Sequence, residues 1–255
     1  NVDKNTLVVA ISVSGNTIET LTVLDSAKNL DCNIIGFSSG GKMGEFCGKH
    51  NINFKKIDLI HSPRTSFVKF SFLIMNVLNS ILSIEQNHIS ETINALTKLQ
   101  NIIGFHNLTD SNPALDLANF ISGIPLIYYP SGLQSSAIRF KSSIQENAKK
   151  HAIIEDVVEA SHNGIMAWEQ PSIIQPILLR GYDDYRKTGE RFDILEEYFD
   201  KNNIRYKEIT SVSGNILTKL MTLTYLLDCT SIYRAILSKI DPTPVNSISF
   251  IKSRI

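Results

Sequence analysis

The segment from Ser12 to Thr17, Ser-Val-Ser-Gly-Asn-Thr, combines residue types that can bind a phosphate group. The hydroxyls of Ser12, Ser14 and Thr17 can donate hydrogen bonds without a buried cation, and Gly15 allows a tight turn close to a ligand. A helix that begins directly after this segment would add unpaired amides and a partial positive charge, which favour a phosphate dianion. The same residues also fit an ordinary loop in which Asn16 or Thr17 caps the helix, so the six residues alone leave both interpretations open.

Around this segment the hydrophobic pattern alternates between strands and helices. Leu7 to Ile11 is a short apolar run, which predicts a parallel strand covered on both faces. Apolar residues at helical spacing follow from Ile18 onward. The other elements predicted for the first half are strands at 33–37 and 52–60 and helices at 42–48 and 67–84. This order is typical of a parallel α/β domain.

The second half of the chain repeats the alternation after a polar stretch, Glu85 to Glu91. We place a domain boundary there, which gives domains at residues 1–90 and 91–255. The predicted elements of the second domain are strands at 126–129, 173–179 and 204–209 and helices at 93–99, 134–149, 192–201, 216–227, 231–238 and 245–254. Pro244 can open the last helix, because proline suits the first helical position. The pattern predicts two α/β domains of one general kind.

Composition and charge argue against two classes of partner. The 255 residues are 43% hydrophobic with a formal net charge of zero, so no charge excess would attract nucleic acid or an anionic membrane. The apolar window from Phe67 to Ile84 approaches the length of a membrane span, but Lys69, Asn76 and Asn79 interrupt it. We expect a buried or interface helix there.

Cysteine and histidine spacing predicts neither disulfides nor a metal site. Cys32, Cys47 and Cys229 have no CxxC spacing, which fits a reducing, cytoplasmic setting. His151 and Glu155 are four residues apart, as two ligands on a helix could be, but no third ligand accompanies them. No metal and no other cofactor are expected.

Five segments of the chain resemble, in the same order, motifs of the sugar isomerase (SIS) domain superfamily. Ser12 to Leu21 is similar to the phosphosugar-binding signature of the SIS domain. The other four resemble motifs of one branch, the bifunctional phosphoglucose/phosphomannose isomerases. They are Ser62-Pro63-Arg64, Gln145-Glu146-Asn147-Ala148-Lys149, Glu159-Ala160-Ser161-His162-Asn163 and Asp241-Pro242-Thr243-Pro244.

The resemblance implies roles for four residues outside the phosphate-binding segment. Glu146 matches the base that moves a proton between C1 and C2, and His162 matches a ring-opening histidine donated to the neighbouring subunit's site. Arg64 matches the arginine that stabilises the enediolate, and Lys252 matches a lysine beside the ring oxygen. Each residue taken singly also has a structural interpretation. Glu146 could be a solvated helix residue, His162 a structural histidine and Arg64 a partner in a surface ion pair. Lys252 could simply complement the dipole of the last helix.

The resemblance also implies the fold and the reaction. The fold would be two SIS-type, flavodoxin-like, three-layer domains with parallel sheets. The reaction would be aldose–ketose isomerisation of fructose 6-phosphate to glucose 6-phosphate through a cis-enediolate, with mannose 6-phosphate as a second aldose. Such an enzyme serves glycolysis and gluconeogenesis, needs no metal and acts as a homodimer.

The chain departs from the family pattern in two places. The family's Gly-Gly-Ser loop, on the strand before the first strand seen here, is absent, so the first domain is expected to be incomplete at its N-terminus and the 255-residue chain poorly active. The threonine linked to mannose 6-phosphate acceptance falls on Val245, with Thr243 two residues earlier. Acceptance of mannose 6-phosphate therefore depends on whether Thr243 can take that place.

Two other functions are compatible with part of the sequence, and one segment repeats the first motif. A non-catalytic phosphosugar-sensing SIS module would share Ser12 to Thr17 but would not need Glu146, His162 or Arg64. Another isomerase or an aminating enzyme of the superfamily would need a lysine or a glutaminase unit for ammonia chemistry, and neither is evident. Ser211 to Asn215 repeats Ser-Val-Ser-Gly-Asn, and we interpret it as a helix-capping loop.

Overall fold

The computed structural model describes residues 2–254, and the chain divides into two compact units, Asn1–Ile84 and Glu85–Ile255. Each unit is a parallel β-sheet with helices packed on both faces. The predicted α/β class with parallel sheets is confirmed. The predicted boundary at 90/91 lies inside a helix that begins at Gln86. The boundary between the two units falls at 84/85, six residues earlier in the sequence than predicted.

The first unit contains a three-stranded sheet in the order β1-β2-β3. Its strands are β1 (Leu7–Ser12), β2 (Asn33–Ser38) and β3 (Asn53–Lys56), and its helices are α1 (Ile18–Ala27), α2 (Gly41–Lys49), α3 (Phe67–Val77) and α4 (Asn79–Leu82). Helices α1 and α2 bury Leu24 and Met43 on one face of the sheet. Helix α3 buries Phe70 on the other face, against Phe37 of β2.

Strand β1 differs from the expectation that both of its faces are covered. Leu7, Val9 and Ile11 are 36%, 36% and 46% exposed. These residues share the face on which α3 packs, but β1 lies at the sheet edge and α3 covers Ile35 and Phe37 of β2 instead. The prediction was wrong because an all-apolar run does not reveal which strand a distant helix covers.

The apolar window from Phe67 to Ile84 forms two helices, whereas one was predicted. Helix α3 ends before Leu78, and Ser83 ends α4 in the left-handed conformation at φ 50°. Asn79 accepts a hydrogen bond from the amide of Ile84 through its side chain at 2.8 Å, which fixes this end. Within the described part of the chain, no helix combines the length and apolar character that a bilayer span requires.

The second unit contains a four-stranded parallel sheet in the order β5-β4-β6-β7. The elements are β4 (Ile124–Tyr129), β5 (Ile153–Asp156), β6 (Ile174–Arg180), β7 (Lys207–Thr210), α5 (Gln86–Ile103), α6 (Pro113–Phe120), α7 (Gln134–Asn147), α8 (Val157–Ala160), α9 (Arg186–Lys201), α10 (Ile216–Leu237) and α11 (Asn246–Lys252). Helices α6, α7 and α10 pack on one face through Leu117, Phe140 and Leu223. Helix α9 packs on the other through Phe192 and Phe199.

Several features of the second unit differ from the prediction, and strand β5 is one element that was not predicted. Helix α10 is continuous, although two helices were expected. Thr230 and Ser231, which lie where the break was predicted, donate their hydroxyls to the carbonyls of Leu226 and Asp228 and so have their polar groups satisfied within the helix. Helix α6 was not predicted, although Asn112 caps it and Pro113 opens it. His151 and Glu155 lie before and within strand β5, so their four-residue spacing is not helical.

Candidate functional site

The segment Ser12–Thr17, here called the phosphate loop, joins the carboxyl end of β1 to the amino end of α1. The segment Ser38–Gly41, here called the second loop, joins β2 to α2 in the same way. Because β1 and β2 are parallel neighbours, both loops lie at the same edge of the sheet. Crevices at this edge of α/β sheets commonly bind ligands.

Three backbone amides, one from the second loop and two from the start of α2, donate hydrogen bonds to the phosphate loop. The amide of Ser39 donates to the carbonyl of Val13 at 3.0 Å, and the amide of Met43 donates to the carbonyl of Gly15 at 2.9 Å. The amide of Lys42 donates to the side-chain oxygen of Asn16 at 3.1 Å. The second loop is the part of this site that the sequence analysis did not assign, although its Ser-Ser-Gly-Gly sequence between a strand and a helix resembles the context of the phosphate loop.

The contact between the loops requires glycine at two positions. Gly15 has φ 72°, and a Cβ atom added to it would lie 1.9 Å from the carbonyl oxygen of Gly40. Gly41 has φ 62°, and its added Cβ would lie 2.6 Å from the carbonyl oxygen of Ser14. Both φ values lie in the left-handed region, which glycine adopts at little cost. The two glycines therefore allow the loops to approach each other.

The hydroxyl groups of the phosphate loop are held in place by local hydrogen bonds. Ser12 is buried, and its Oγ lies 2.8 Å from Oγ1 of Thr17 and accepts from the amide of Gly15 at 3.1 Å. Ser14 Oγ accepts from the amide of Asn16 at 3.2 Å. Thr17 stands at the N-cap of α1 but makes no side-chain cap bond to the helix. The first amides of α1 are therefore not satisfied by that hydroxyl, which favours an anion at this position.

Arg64 belongs to the first unit, in the 3₁₀ turn Pro63–Ser66 that follows β3. The amide of Ser62 donates to Thr65 Oγ1 at 3.2 Å, and the amide of Thr65 donates to the carbonyl of Ser62 at 3.1 Å. These bonds fix the turn that carries the half-buried Arg64. Strand β3 ends at the same sheet edge as the two loops, since all three strands are parallel.

Glu146 is the penultimate residue of α7 and is half-buried. Helix α7 packs on α10, where Arg139 Nη2 pairs with Asp228 Oδ2 at 2.7 Å and Asn147 donates to Ser231 Oγ at 2.8 Å. These bonds hold the helix end in place. Glu146 itself lines a cavity of about 280 Å³, whose other walls are Gln145, Lys149, Pro244, Val245, Asn246, Ser247 and Ile248.

The cavity brings Glu146 beside the start of the last helix, but Lys252 lies farther away. Val245 lines the cavity together with Glu146. Lys252 is exposed at the carboxyl end of α11, one helical turn beyond Ile248, the last cavity residue of that helix. Among the described residues, no hydrogen bond or ion pair joins Lys252 to Glu146.

His162 is exposed in the turn after α8. Asp156 caps α8 by accepting from the amides of Val158 and Glu159 at 2.8 and 3.4 Å, and the amide of His162 donates to the carbonyl of Glu159 at 3.0 Å. The turn follows the carboxyl end of β5, whereas Glu146 lies just before β5 begins. The structure therefore places His162 and Glu146 of one chain at opposite edges of the same sheet.

The repeated segment Ser211–Asn215 has a different structure from the phosphate loop. Asn215 caps α10 by accepting from the amide of Thr218 at 3.0 Å, and its own amide donates to the carboxylate of Glu91 at 3.1 Å. Hydrogen bonds from Asn215 lower the pKa of Glu91. The interpretation of this segment as a helix-capping loop is confirmed, and a carboxylate from α5 already lies where an anion would bind.

Titratable side chains do not assemble into a metal site in the part of the chain that the structure describes. No three His, Cys, Asp or Glu side chains lie together there. Glu155, whose pKa is raised by burial and by Glu159, lies next to Gly164, where an added Cβ would be 2.6 Å from Oε1 of the carboxyl group. It packs beside the turn that carries His162.

Comparisons with known proteins agree with these features. Residues 110–255 match the family model of the bacterial phospho-glucose isomerase C-terminal SIS domain. A bifunctional phosphoglucose/phosphomannose isomerase from Caldicellulosiruptor bescii is 31% identical over all of this chain and 77% of its own length. A D-glucosamine-6-phosphate 4-epimerase from Sulfolobus acidocaldarius is 32% identical over 65% of this chain and 52% of its own length.

The fold is shared with solved structures at low sequence identity. Tagatose-6-phosphate ketose/aldose isomerase from Escherichia coli superposes with a TM-score of 0.72 at 10% identity, covering 94% of this chain and 71% of the other. This likeness shows a shared fold only. Membership of the family rests on the family model and on the isomerase from Caldicellulosiruptor bescii, which aligns with the whole of this chain. The chain therefore belongs to the SIS-domain family of bifunctional phosphoglucose/phosphomannose isomerases.

Proposed function

We propose that this chain is an aldose–ketose isomerase that interconverts fructose 6-phosphate with glucose 6-phosphate, and with mannose 6-phosphate as a second aldose. The position of Glu146 carries the catalytic part of this proposal. A half-buried carboxylate beside a cavity of about 280 Å³ can reach a sugar carbon, whereas a phosphosugar sensor needs no such group. Family membership supports the substrate class.

In the proposed reaction the phosphate loop binds the 6-phosphate through the hydroxyls of Ser12, Ser14 and Thr17 and through the backbone at Gly15 and Asn16. Its bound anion faces the amides of α1. Preformed hydrogen bonds within the loop reduce the cost of ordering it around the ligand. This loop supplies binding and orientation, which place the sugar for proton transfer.

The proton transfer itself is assigned to Glu146. In the direction from ketose to aldose, Glu146 removes a proton from C1, and the electrons of the C–H bond form the enediolate with its negative charge on O2. The hydroxyl proton then passes from O1 to O2, the C1 carbonyl forms, and the same carboxyl group returns its proton to C2. Arg64 is proposed to stabilise the negative charge on the enediolate oxygen. Lys252 is proposed to lie beside the ring oxygen, and His162 is proposed to move the proton that opens the ring.

A homodimer would bring His162 to Glu146 of another copy. Helix α7 has 14 residues, so it is about 21 Å long at 1.5 Å per residue. It runs back along the sheet, because β4 and β5 are parallel. Glu146 and His162 of one chain are thus separated by the height of the sheet, and this supports donation of His162 across a subunit interface.

We further propose that the enzyme is cytoplasmic. Its three cysteines, Cys32, Cys47 and Cys229, are free thiols, as is usual in a reducing compartment.

A coupled assay on the full-length gene product tests the activity with both hexose 6-phosphates. Glu146→Gln should lower kcat by at least ~100-fold, because general acid–base catalysis contributes about that much, while the affinity for phosphosugar stays within a few-fold. Glu197→Gln is the matched control, since Glu197 is exposed on α9 and pairs with Lys201. Wild-type turnover in Glu146→Gln would refute the base assignment, and binding without turnover in the wild type would favour the sensor.

Subunit mixing tests the donation of His162. Glu146→Gln and His162→Asn should each be inactive alone. If the histidine crosses the interface, half of the dimers in an equal mixture are mixed and one of their two sites is intact, so about a quarter of wild-type activity returns. No recovery after verified subunit exchange would show that both residues act within one chain.

A further inference from the structure

Lys149 joins the end of α7 to the segment that leads into α11. It follows the helix in the left-handed conformation, at φ 53°, a common way to end a helix. Its Nζ donates to the carbonyl of Glu146 at 2.6 Å, to that of Pro244 at 2.6 Å and to that of Pro242 at 3.4 Å. An ammonium group has three N–H donors, and three carbonyl oxygens surround this one.

The carbonyls that Lys149 contacts belong to two segments that are far apart in sequence. Glu146 lies in the last turn of α7. Pro242 and Pro244 lie just before α11, 93 and 95 residues after Lys149 in the sequence. Prolines have a fixed φ and few accessible conformations, and the side chain of Asp241 accepts from the amide of Thr243 at 2.8 Å. The lead segment, residues 241–245, is therefore stiff, and Lys149 sets where it lies relative to α7.

The same two segments form the walls of the cavity that Glu146 lines. One wall is the end of α7 with Gln145 and Glu146, and the other is the start of α11 with Val245 and Ser247. Lys149 lines the cavity as well, at the junction between the walls. A change in its three hydrogen bonds would alter the separation of the walls and hence the distance from the Glu146 carboxylate to anything bound there.

We infer that Lys149 is a positioning residue, which sets the gap between the Glu146 carboxylate and the start of α11 through its hydrogen bonds to the three carbonyls. This role rests on the proposed isomerase function of Glu146. The charge on Lys149 lies at the carboxyl end of α7, where a cation interacts favourably with the helix dipole. The hydrogen bonds to carbonyls, rather than the charge, connect it to the lead segment.

Lys150 provides a matched control one residue away. Its Nζ donates to the carbonyl of Ser122 at 3.1 Å, and it is not part of the cavity wall described above. Lys149→Met and Lys150→Met remove the same charge and retain a similar aliphatic stem. Only the first removes the connection between α7 and the lead segment.

The experiment measures kcat and KM with fructose 6-phosphate, together with amide hydrogen exchange over residues 241–252. In Lys149→Met, kcat should fall by about 10- to 100-fold, because a displacement of ~1 Å at a reacting group costs up to that factor. KM should change by no more than a few-fold, and exchange in 246–252 should become faster. Lys149→Arg, which keeps the donors, should recover most of the lost kcat, and Lys150→Met should match the wild type.

The outcomes separate this inference from the proposed function. If the wild type has no isomerase activity, the proposed function is refuted and the exchange data alone decide whether Lys149 holds the lead segment. Unchanged exchange in Lys149→Met would overturn the inference in either case. Faster exchange with unchanged kcat would also overturn it, because the segment would then move without affecting Glu146. Thermal denaturation confirms that each variant is folded before these comparisons.

Discussion

Replacing Gly15 by alanine should selectively damage the phosphate loop. An alanine Cβ at this position would lie 1.9 Å from the carbonyl oxygen of Gly40, which is a backbone atom and cannot rotate away. The residue also has φ 72°, and a left-handed conformation costs a residue with a Cβ about 1–2 kcal/mol. The loop can relieve the clash only by moving away from the second loop.

The size of the effect follows from the distance that must be gained. Contacts of a Cβ atom to an oxygen below 3.0 Å are essentially never observed, so the phosphate loop must shift by ~1 Å. A displacement of that size can lower the rate by about 100-fold when it misplaces a substrate. The shift would also break the bonds from the amides of Met43 and Lys42 to Gly15 and Asn16. We expect kcat/KM for fructose 6-phosphate to fall by about 100-fold, with a raised KM because the displaced loop binds the 6-phosphate less well.

Two measurements check this expectation. The first is the coupled isomerase assay with fructose 6-phosphate and glucose 6-phosphate. The second is competitive inhibition by inorganic phosphate, which reports on the loop without depending on the sugar. Gly48→Ala is the control, because Gly48 lies within α2 and an added Cβ there meets nothing within 4 Å. It should leave both measurements unchanged.

A normal KM and normal inhibition by phosphate in Gly15→Ala would contradict this reasoning. It would mean that the anion binds elsewhere or that the two loops do not need to touch. If Gly15→Ala simply failed to fold, thermal denaturation would show it. In that case Asn16→Ala would serve as the second variant, since it removes the side-chain oxygen that accepts from Lys42 without adding a Cβ to a glycine.

Two further predictions concern stability. Burial and the neighbouring Glu208 raise the pKa of Glu196 from 4.5 to about 7, so the folded state binds a proton that the unfolded state releases. The contribution of this group to stability is therefore fully present below pH 4.5 and is lost as the pH rises through 7. Glu196→Gln should reduce this loss and be more stable than the wild type at pH 8 by ~1–2 kcal/mol, after discounting for solvent screening. Urea unfolding at pH 5 and pH 8 measures the difference, and an equal change in the free energy of unfolding between the two pH values in both proteins would contradict the prediction. Asn215→Ala removes the cap of α10 and should lower the free energy of unfolding by ~1 kcal/mol. It should leave KM for hexose 6-phosphates unchanged, and a raised KM would show that the repeated segment takes part in binding.

The element order could be predicted well from the sequence, while the coverage of the elements could not. Apolar runs and turn residues predicted strands near β1, β2, β4 and β6 and the helices that follow them. The same apolar pattern suggested that β1 is covered on both faces, but Leu7, Val9 and Ile11 are exposed. Coverage depends on where α3 packs, and no local pattern encodes that.

The candidate site could be predicted residue by residue but not in its geometry. The resemblance to SIS isomerases assigned Glu146 and His162, yet only the chain path places them at opposite edges of one sheet. The sequence analysis treated Lys149 only as part of a motif, because its partners Pro242 and Pro244 lie more than 90 residues away. The second loop was missed for the same reason, since its relation to Asn16 appears only when β1 and β2 pair.

The segment Ser-Val-Ser-Gly-Asn occurs twice, and it separates what the sequence determined from what the tertiary structure decided. The sequence determined that both copies follow a strand, turn at a glycine and precede a helix. The tertiary structure decided their roles, because each asparagine bonds to groups from different remote segments. Asn16 accepts from the amide of Lys42, 26 residues away in the first turn of α2, whereas Asn215 donates its amide to Glu91, 124 residues away on α5. A carboxylate therefore lies against the second copy, and the first copy is the one that we propose as the phosphate-binding site.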